Sequence, residues 1–173
     1  MYRAVAFKIL ESKISVSTDN AIHVAKNIKL QDLDNPELRL ESCGNLASKL
    51  AESDRIREEL IFFQRDFPKK KVGAVLDGRD IGSVIFPDAK IKLFVTADLE
   101  VRAQRRQEDY KKMGQEYSLR DLTEKLKERD KRDKNRKVSP LICMPDAIVF
   151  DNSEISFERL NKEIIEIVEK KYK

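Results

Sequence analysis

The sequence predicts an α/β protein built on a parallel sheet with helices on both faces. Short, largely apolar runs at 72–76, 91–96 and 147–150 are rich in β-branched residues, as parallel strands buried on both sides usually are. The segments around them repeat apolar residues every three or four positions, the spacing of amphipathic helices. Strands that alternate with helices favour a parallel sheet, and we expect the three strands to belong to one.

The chain before the first strand is predicted to be mainly helical. Apolar spacing predicts a helix over 2–14, and Asp19 is placed to cap a second helix over 21–27. Leucine, isoleucine and phenylalanine residues mark further helical segments between 46 and 67, where Pro68 stops them.

The remaining segments divide into one loop and three helices. The polar stretch 31–42 contains Asp-Asn-Pro and is expected to be a loop. A long charged helix follows Thr96 and breaks at Met113-Gly114. Another charged helix runs from 119 to 136, and 155–172 is an amphipathic helix at the C-terminal end.

Length and composition exclude several classes of protein. The 173 residues are enough for one domain with a real core, and the net charge of +4 is too small to indicate a polyanionic partner. Cys43 and Cys143 have no metal-binding spacing, which favours two buried thiols in a reducing compartment. No apolar run approaches the roughly 20 residues of a membrane span, and the start of the sequence does not resemble a signal peptide. We therefore expect a cytoplasmic protein without a membrane partner.

Two charged residues follow the carboxyl end of the first predicted strand. The strand stops at Asp77-Gly78, and Arg79 and Asp80 come next. In open α/β sheets, ligands bind in the crevice outside the carboxyl ends of the strands. The Asp-Gly pair alone is typical of a turn, but the charges after it favour a binding site.

The second charged helix carries a repeated pattern of arginine and aspartate. Arg129, Arg132, Asp133 and Arg136 recur at intervals of three and four, so they share one face of the helix. Such a face is often solvated and crossed by salt bridges. Arginine forks also match phosphate oxygens, so a phosphate-binding face is the other interpretation, and periodicity leaves both open.

Several segments, in order and with similar spacing, resemble those of the bacterial cytidylate kinase family. The resemblance extends from residue 2 to about residue 168. The segments are Tyr2-Arg3, Arg55-Ile-Arg57-Glu58, Asp77-Gly-Arg-Asp-Ile-Gly82, Phe86-Pro-Asp88, Arg102-Ala-Gln-Arg-Arg106, and Glu128-Arg-Asp-Lys-Arg-Asp-Lys-Asn-Arg136 followed by Pro140-Leu141.

The resemblance implies the P-loop nucleoside-monophosphate kinase fold and a transferase of pyrimidine nucleotide metabolism. Such an enzyme moves the γ-phosphate of ATP, with Mg²⁺, onto CMP or dCMP. It implies one domain over 1–173, with an acceptor-binding region at about 15–66 and a mobile lid at about 102–136. It also implies a monomer in the intact form.

The resemblance further implies a role for individual residues. Arg3 and Arg79 would meet the acceptor phosphate beside Asp80, and Ser48 and Arg57 would read the cytosine. The lid would contribute Arg129, Asp133 and Arg136, facing the nucleoside and the phosphates. Arg102, Arg105 and Arg106 would bind phosphates of the donor ATP. The residues implied to act in catalysis are Arg79, Arg105, Arg129 and Arg136, and no residue of this chain is implied to ligate a metal.

One part of the family pattern is absent from the printed sequence. None of the five glycines (44, 73, 78, 82 and 114) lies in a Gly-x-x-x-x-Gly-Lys-[Ser/Thr] phosphate loop. In the family a central strand precedes that loop and lies between the strands matching 72–77 and 91–96, so we do not expect those two to pair directly. The chain as printed is therefore expected to have little kinase activity.

Two alternatives remain beside an active kinase. One is a catalytically dead relative that still binds CMP. The other is a nucleic-acid-binding domain that uses the arginines between 102 and 136. Acidic residues balance those arginines and no stacking aromatic residues are interleaved, so we expect no nucleic-acid partner.

Overall fold

The computed structural model describes residues 1–70 and 73–172, which form two compact units. The first unit comprises Met1–Arg79 and Lys131–Leu141. The second comprises Asp80–Asp130 and Ile142–Lys173.

The first unit is helical and has its own apolar core. Its α-helices are α1 (Tyr2–Glu11), α2 (Thr18–Lys26), α3 (Glu41–Leu50) and α4 (Asp54–Asp66), with short 3₁₀ turns at Leu30–Leu33, Pro36–Arg39 and Pro68–Lys70. The core is formed by small and branched side chains of all four α-helices, among them Val5, Ile9, Leu46, Ile56 and Leu60. These helices form because each buries one apolar stripe against the others.

The second unit contains the sheet. Its elements are a π-helical turn (Ile81–Ile85), β1 (Leu93–Thr96), α5 (Leu99–Lys112), β2 (Ile148–Asp151) and α7 (Phe157–Tyr172); α6 (Leu119–Asn135) belongs to it as far as residue 130. Ala103, Tyr110, Leu122 and Leu126 form the core between α5 and α6. Within residues 1–70 and 73–172, no helix is both long and apolar enough to cross a membrane.

The two strands pair in parallel, which confirms the predicted α/β class. Leu93 opposes Ile148, and Val95 opposes Phe150. The ladder continues at both ends, because the amide of Ile148 donates to the carbonyl of Lys92 (2.9 Å) and the amide of Asn152 donates to the carbonyl of Thr96 (2.9 Å). Parallel strands need a long crossover connection, and here it contains α5 and α6.

The predicted strand at 72–76 is wrong over its described residues. Residues 73–76 adopt no strand conformation, and Val75 is 97% exposed. Among the described residues, the sheet consists of β1 and β2 alone, so 73–76 are not one of its strands. A β-branched run becomes a strand only when a neighbour completes the ladder. Val72 lies outside the described residues, and β1 does not pair with 73–76, as expected.

The first two helices have boundaries that differ from the prediction. α1 ends at Glu11 rather than at residue 14, because Lys13 adopts a left-handed conformation with φ of 52°. The cap of α2 is Ser17 and not Asp19, and its hydroxyl accepts a hydrogen bond from the amide of Asn20 (3.2 Å). Asp19 instead lies in the first turn, where a negative charge is favourable.

The segment predicted as a loop over 31–42 contains regular turns. Pro36 is the first residue of a 3₁₀ turn, and the side chain of Asn35 accepts from the amide of Glu37 (2.8 Å). The Asn-Pro pair that suggested a loop therefore starts a short helix. α3 then begins at Glu41, before the predicted segment ends.

The charged helices agree closely with the sequence. α5 ends at Lys112, immediately before Met113-Gly114, and Gly114 has φ of +72°, which glycine adopts without strain. α6 ends at Asn135, one residue earlier than predicted. α7 starts at Phe157 rather than at Ile155.

We predict that Leu60→Ala lowers the free energy of unfolding by about 2–5 kcal/mol, because it removes a buried side chain and leaves a cavity. Leu60 is 1% exposed in the core of the first unit. Urea denaturation followed by circular dichroism measures the change. Phe62→Ala is the matched control, since Phe62 lies on the same helix and is 76% exposed. It should change the stability by less than about 0.5 kcal/mol. Equal losses for the two variants would contradict the packing of α4.

Candidate functional site

A buried carboxylate is the centre of the polar group in the first unit. Asp133 is 1% exposed. Its Oδ1 accepts from the hydroxyl of Ser48 at 2.8 Å, and its Oδ2 lies 3.2 Å from Nε of Arg79. A buried carboxylate needs such partners, because an uncompensated charge away from water is costly. These three predicted site residues therefore lie together.

Different parts of the chain supply these three side chains. Ser48 lies on α3, near the end of the helix. Arg79 follows Asp77-Gly78, and Asp133 lies in the last turn of α6, 85 positions beyond Ser48. The interpretation of the α6 charges as a solvated face is wrong at this end of the helix, because Asp133 and Arg136 are buried there.

Further contacts of α6 hold its last turn against α3. Nη1 of Arg132 donates to the side-chain oxygen of Asn45 (3.0 Å), and its Nε lies 3.9 Å from Glu52. Nε of Arg136 donates to the carbonyl of Ser139 (2.7 Å). These contacts orient the turn that carries Asp133.

Sequence reasoning did not identify Asn45 and Glu52. Both lie on the same side of the α3 region as Ser48, at intervals of three and four positions. That spacing was visible in the sequence. Their partner was not, because Arg132 is 87 positions away from Asn45.

Two more predicted residues of the first unit lie at the starts of helices. Nη1 of Arg3, on α1, donates to the carbonyl of Leu38 at 2.5 Å. Arg57, on α4, is 7% exposed, and its guanidinium carbon lies 5.9 Å from the centre of the Tyr2 ring. A guanidinium over an aromatic face is attracted to it, so Tyr2 helps to place Arg57.

Cys43 lies near Arg3, and its surroundings disfavour a reactive thiolate. Burial raises the pKa of the Cys43 thiol, and a hydrogen bond with Ser42 and the charge of Arg3 only partly oppose this shift. The neutral thiol is a poor nucleophile. We assign Cys43 a packing role, as the sequence predicted, whereas Cys143 is exposed, contrary to the prediction that both thiols are buried.

The remaining predicted arginines belong to the second unit, and Arg102 and Arg106 have side-chain partners there. Arg102 donates from Nη1 to Asp130 (2.7 Å) and from Nε to the carbonyl of Ala97 (2.9 Å). Arg106 donates from Nε to the hydroxyl of Tyr110 (3.0 Å). Asp130 and Tyr110 were not predicted.

Arg105 lies beside a cavity in the second unit. Its two Nη atoms donate to the side-chain oxygen (3.0 Å) and to the backbone carbonyl (2.7 Å) of Asn152, directly after β2. The cavity has a volume of about 270 Å³ and combines polar and apolar walls. It is lined by Arg105, Asn152, Ile155, Ser156, Phe157 and Leu160.

Asp80 and Arg129 are the two other predicted residues in the second unit. Asp80 is 5% exposed, and its backbone carbonyl accepts from the amides of Val84 (2.9 Å) and Ile85 (3.2 Å) in the π-helical turn. Arg129 is half-buried on α6. The roles implied for Asp80 and Arg129 stay predictions.

The parallel sheet and the arginine groups are compatible with an α/β protein that binds phosphate. The particular family follows from comparison with known proteins. Residues 1–170 match the cytidylate kinase family, so the chain belongs to that family and has its nucleoside-monophosphate kinase fold.

Three relatives illustrate the similarity, and each is named cytidylate kinase. The protein of Methylococcus capsulatus is 38% identical, and the alignment covers 98% of this chain and 82% of that protein. The protein of Cereibacter sphaeroides strain KD131 is 40% identical over 98% of this chain and 79% of its own length. That of Bradyrhizobium strain ORS 278 is 39% identical, with 98% and 80% covered.

We predict that Ser48→Ala lowers the free energy of unfolding by about 1–3 kcal/mol, because Asp133 then loses a hydrogen-bond donor while it stays buried. Thermal and urea denaturation measure the loss. Ser53→Ala is the control, because the hydroxyl of Ser53 makes no capping bond at the start of α4. If the two variants lose the same stability, the Ser48–Asp133 bond does not stabilise the first unit.

Proposed function

We propose that this protein transfers the γ-phosphate of ATP to CMP or dCMP. The observation that carries the proposal is the group of Ser48, Arg79 and buried Asp133, found in a chain that belongs to the cytidylate kinase family. The group combines a hydroxyl, a carboxylate and a guanidinium within hydrogen-bonding distance. A nucleoside monophosphate offers complementary chemistry.

Arg79 is suited to bind the phosphate of the acceptor. Its Nε interacts with Asp133, and the side chain keeps 37% of its surface exposed. The two Nη atoms of the guanidinium can donate two parallel hydrogen bonds to phosphate oxygens. Asp133 fixes the orientation of the guanidinium before the acceptor arrives, so less entropy is lost on binding.

Ser48 and Arg57 are suited to read the cytosine. The base presents an amino group beside a ring nitrogen and a carbonyl, both of which accept hydrogen bonds. A serine hydroxyl can accept from the amino group, and a guanidinium can donate to the two acceptors. Ser48 and Arg57 are almost fully buried, at 4% and 7% exposure. A wrong base would leave their polar groups without hydrogen-bond partners, which would lower its binding affinity.

The second unit is suited to bind the donor nucleotide. The cavity beside Arg105 has an apolar wall of Ile155, Phe157 and Leu160, which fits a flat purine ring. The planar guanidinium of Arg105 can stack on that ring or meet a phosphate. Asp130 and Tyr110 orient Arg102 and Arg106, respectively, for the donor phosphates.

The described residues do not fit a protein cage for Mg²⁺. In residues 1–70 and 73–172, no group of three or more His, Cys, Asp or Glu side chains is arranged to hold a metal ion. We therefore propose that Mg²⁺ is carried by the phosphates of ATP, whose charge it neutralises when bound. The residues of this chain orient the acceptor and complement the charge that remains.

The arginines supply the catalytic part of the proposal. In phosphoryl transfer, negative charge spreads over the equatorial oxygens of the moving group. Preorganised cationic donors stabilise that charge without reorganisation. We assign this role to Arg79, Arg105, Arg129 and Arg136, while exclusion of water by the lid prevents hydrolysis of ATP.

The test of the acceptor site is the affinity for CMP, measured by titration calorimetry. We predict that Arg79→Ala weakens CMP binding about tenfold to a hundredfold, because one bidentate charge-assisted contact is lost. Cytidine, which lacks the phosphate, should bind the variant and the wild type alike. Arg55→Ala is the matched control, since Arg55 is exposed and pairs only at the surface with Asp19. A CMP affinity of Arg79→Ala within threefold of the wild type would show that Arg79 does not bind the phosphate.

We also predict that a polypeptide of residues 1–173 turns over MgATP and CMP much more slowly than the about 1–100 per second of ordinary kinases. The printed sequence contains no Gly-x-x-x-x-Gly-Lys loop to hold the γ-phosphate in line with the acceptor. A coupled assay of ADP release measures the rate. CMP binding by the same sample would then agree with the alternative function, a CMP-binding relative without catalysis. Turnover at the ordinary rate would place the donor-phosphate site within these residues.

A further inference from the structure

The guanidinium of Arg3 occupies the space beside Gly44 on α3. A Cβ atom built on Gly44 would lie 2.8 Å from Nη2, 3.2 Å from Cζ and 3.3 Å from Nη1 of Arg3. The first of these distances is well inside van der Waals contact, and the flexible end of the Arg3 side chain is the group that can shift. Any side chain at position 44 therefore displaces the guanidinium.

Backbone conformation does not explain a glycine at position 44. The residue lies inside α3, and its φ is outside the left-handed range that favours glycine. In a helix interior, glycine is less favourable than alanine by about 1 kcal/mol. The space taken by Arg3 accounts for the glycine, at the expense of helix stability.

Arg3 is held in this place by the turn that precedes α3. Its Nη1 donates to the carbonyl of Leu38 (2.5 Å), with the carbonyl of Leu40 at 3.5 Å. The amide of Gly44 donates to the same Leu40 carbonyl (3.0 Å), so Gly44 and Arg3 meet at one turn. The positive charge of Arg3 acts to lower the pKa of Cys43, which agrees with a guanidinium placed over the first turn of α3.

We propose that Gly44 is a positioning residue for the acceptor phosphate, acting through Arg3. The inference rests on the proposed function, together with the role that the family resemblance implies for Arg3, which is to meet the acceptor phosphate beside Arg79. With no side chain at position 44, the guanidinium lies against the start of α3 and keeps a fixed orientation. A Cβ there moves the guanidinium off the turn and separates it from the carbonyl of Leu38.

The test is calorimetric titration of the 173-residue chain with CMP and with cytidine. Gly44→Ala should weaken CMP binding by about fivefold, because a charge-assisted contact is misplaced rather than removed. Cytidine binding should not change, which also reports that the variant is folded. Gly73→Ala is the matched control, since nothing lies within 4 Å of a Cβ at Gly73, and it should bind CMP as the wild type does. Gly44→Ser should repeat the effect of Gly44→Ala.

A double-mutant cycle identifies the route of the effect. In an Arg3→Ala background, Gly44→Ala should cause no further loss of CMP affinity, because the displaced group is gone. A further loss in that background, or wild-type CMP affinity for Gly44→Ala, overturns the inference. Failure of the wild-type chain to bind CMP would instead refute the proposed acceptor site. The two failures are therefore distinguishable.

Discussion

The first unit depends on how one buried negative charge is compensated. Asp133 has almost no contact with solvent, and Ser48 and Arg79 supply its hydrogen bond and its counter-charge. Removal of either partner leaves the carboxylate buried and poorly solvated. The resulting loss of folding free energy is larger than the net stabilisation that the contact provides. The same contacts also orient groups that can bind a nucleotide, because the hydroxyl of Ser48 and the guanidinium of Arg79 can both form hydrogen bonds with one.

Most of the fold was predictable because most elements carry their own signal. The apolar periodicity of α5 and α6 and the Met113-Gly114 break are local features, and the structure follows them within a residue or two. The failure at 73–76 has a different cause. A strand forms only when it pairs with another strand, which can be distant in sequence. A β-branched segment outside the sheet can stay exposed, as Val75 does.

The site was predictable in its residue types and less so in its contacts. Spacing placed Asp133 and Arg136 on one helix face, but it could not decide between solvent and burial. The decision depends on Ser48, which is 85 positions away, and no local pattern reports a contact of that length. Asn45 and Asp130 were missed for the same reason, because their partners Arg132 and Arg102 are 87 and 28 positions away. Tyr110 is different, because it lies four positions from Arg106 on α5, and that spacing was visible in the sequence.

The two cysteines differ in a way that gives the chain a built-in attachment point for a spectroscopic label. Cys143 is exposed, whereas Cys43 is 1% exposed and has a raised pKa, so its thiolate form is scarce at neutral pH. A maleimide dye added for a short time to the unmodified protein will therefore attach mainly at position 143. That position follows Pro140-Leu141 in a connecting segment, so the dye reports on this segment without any engineered cysteine.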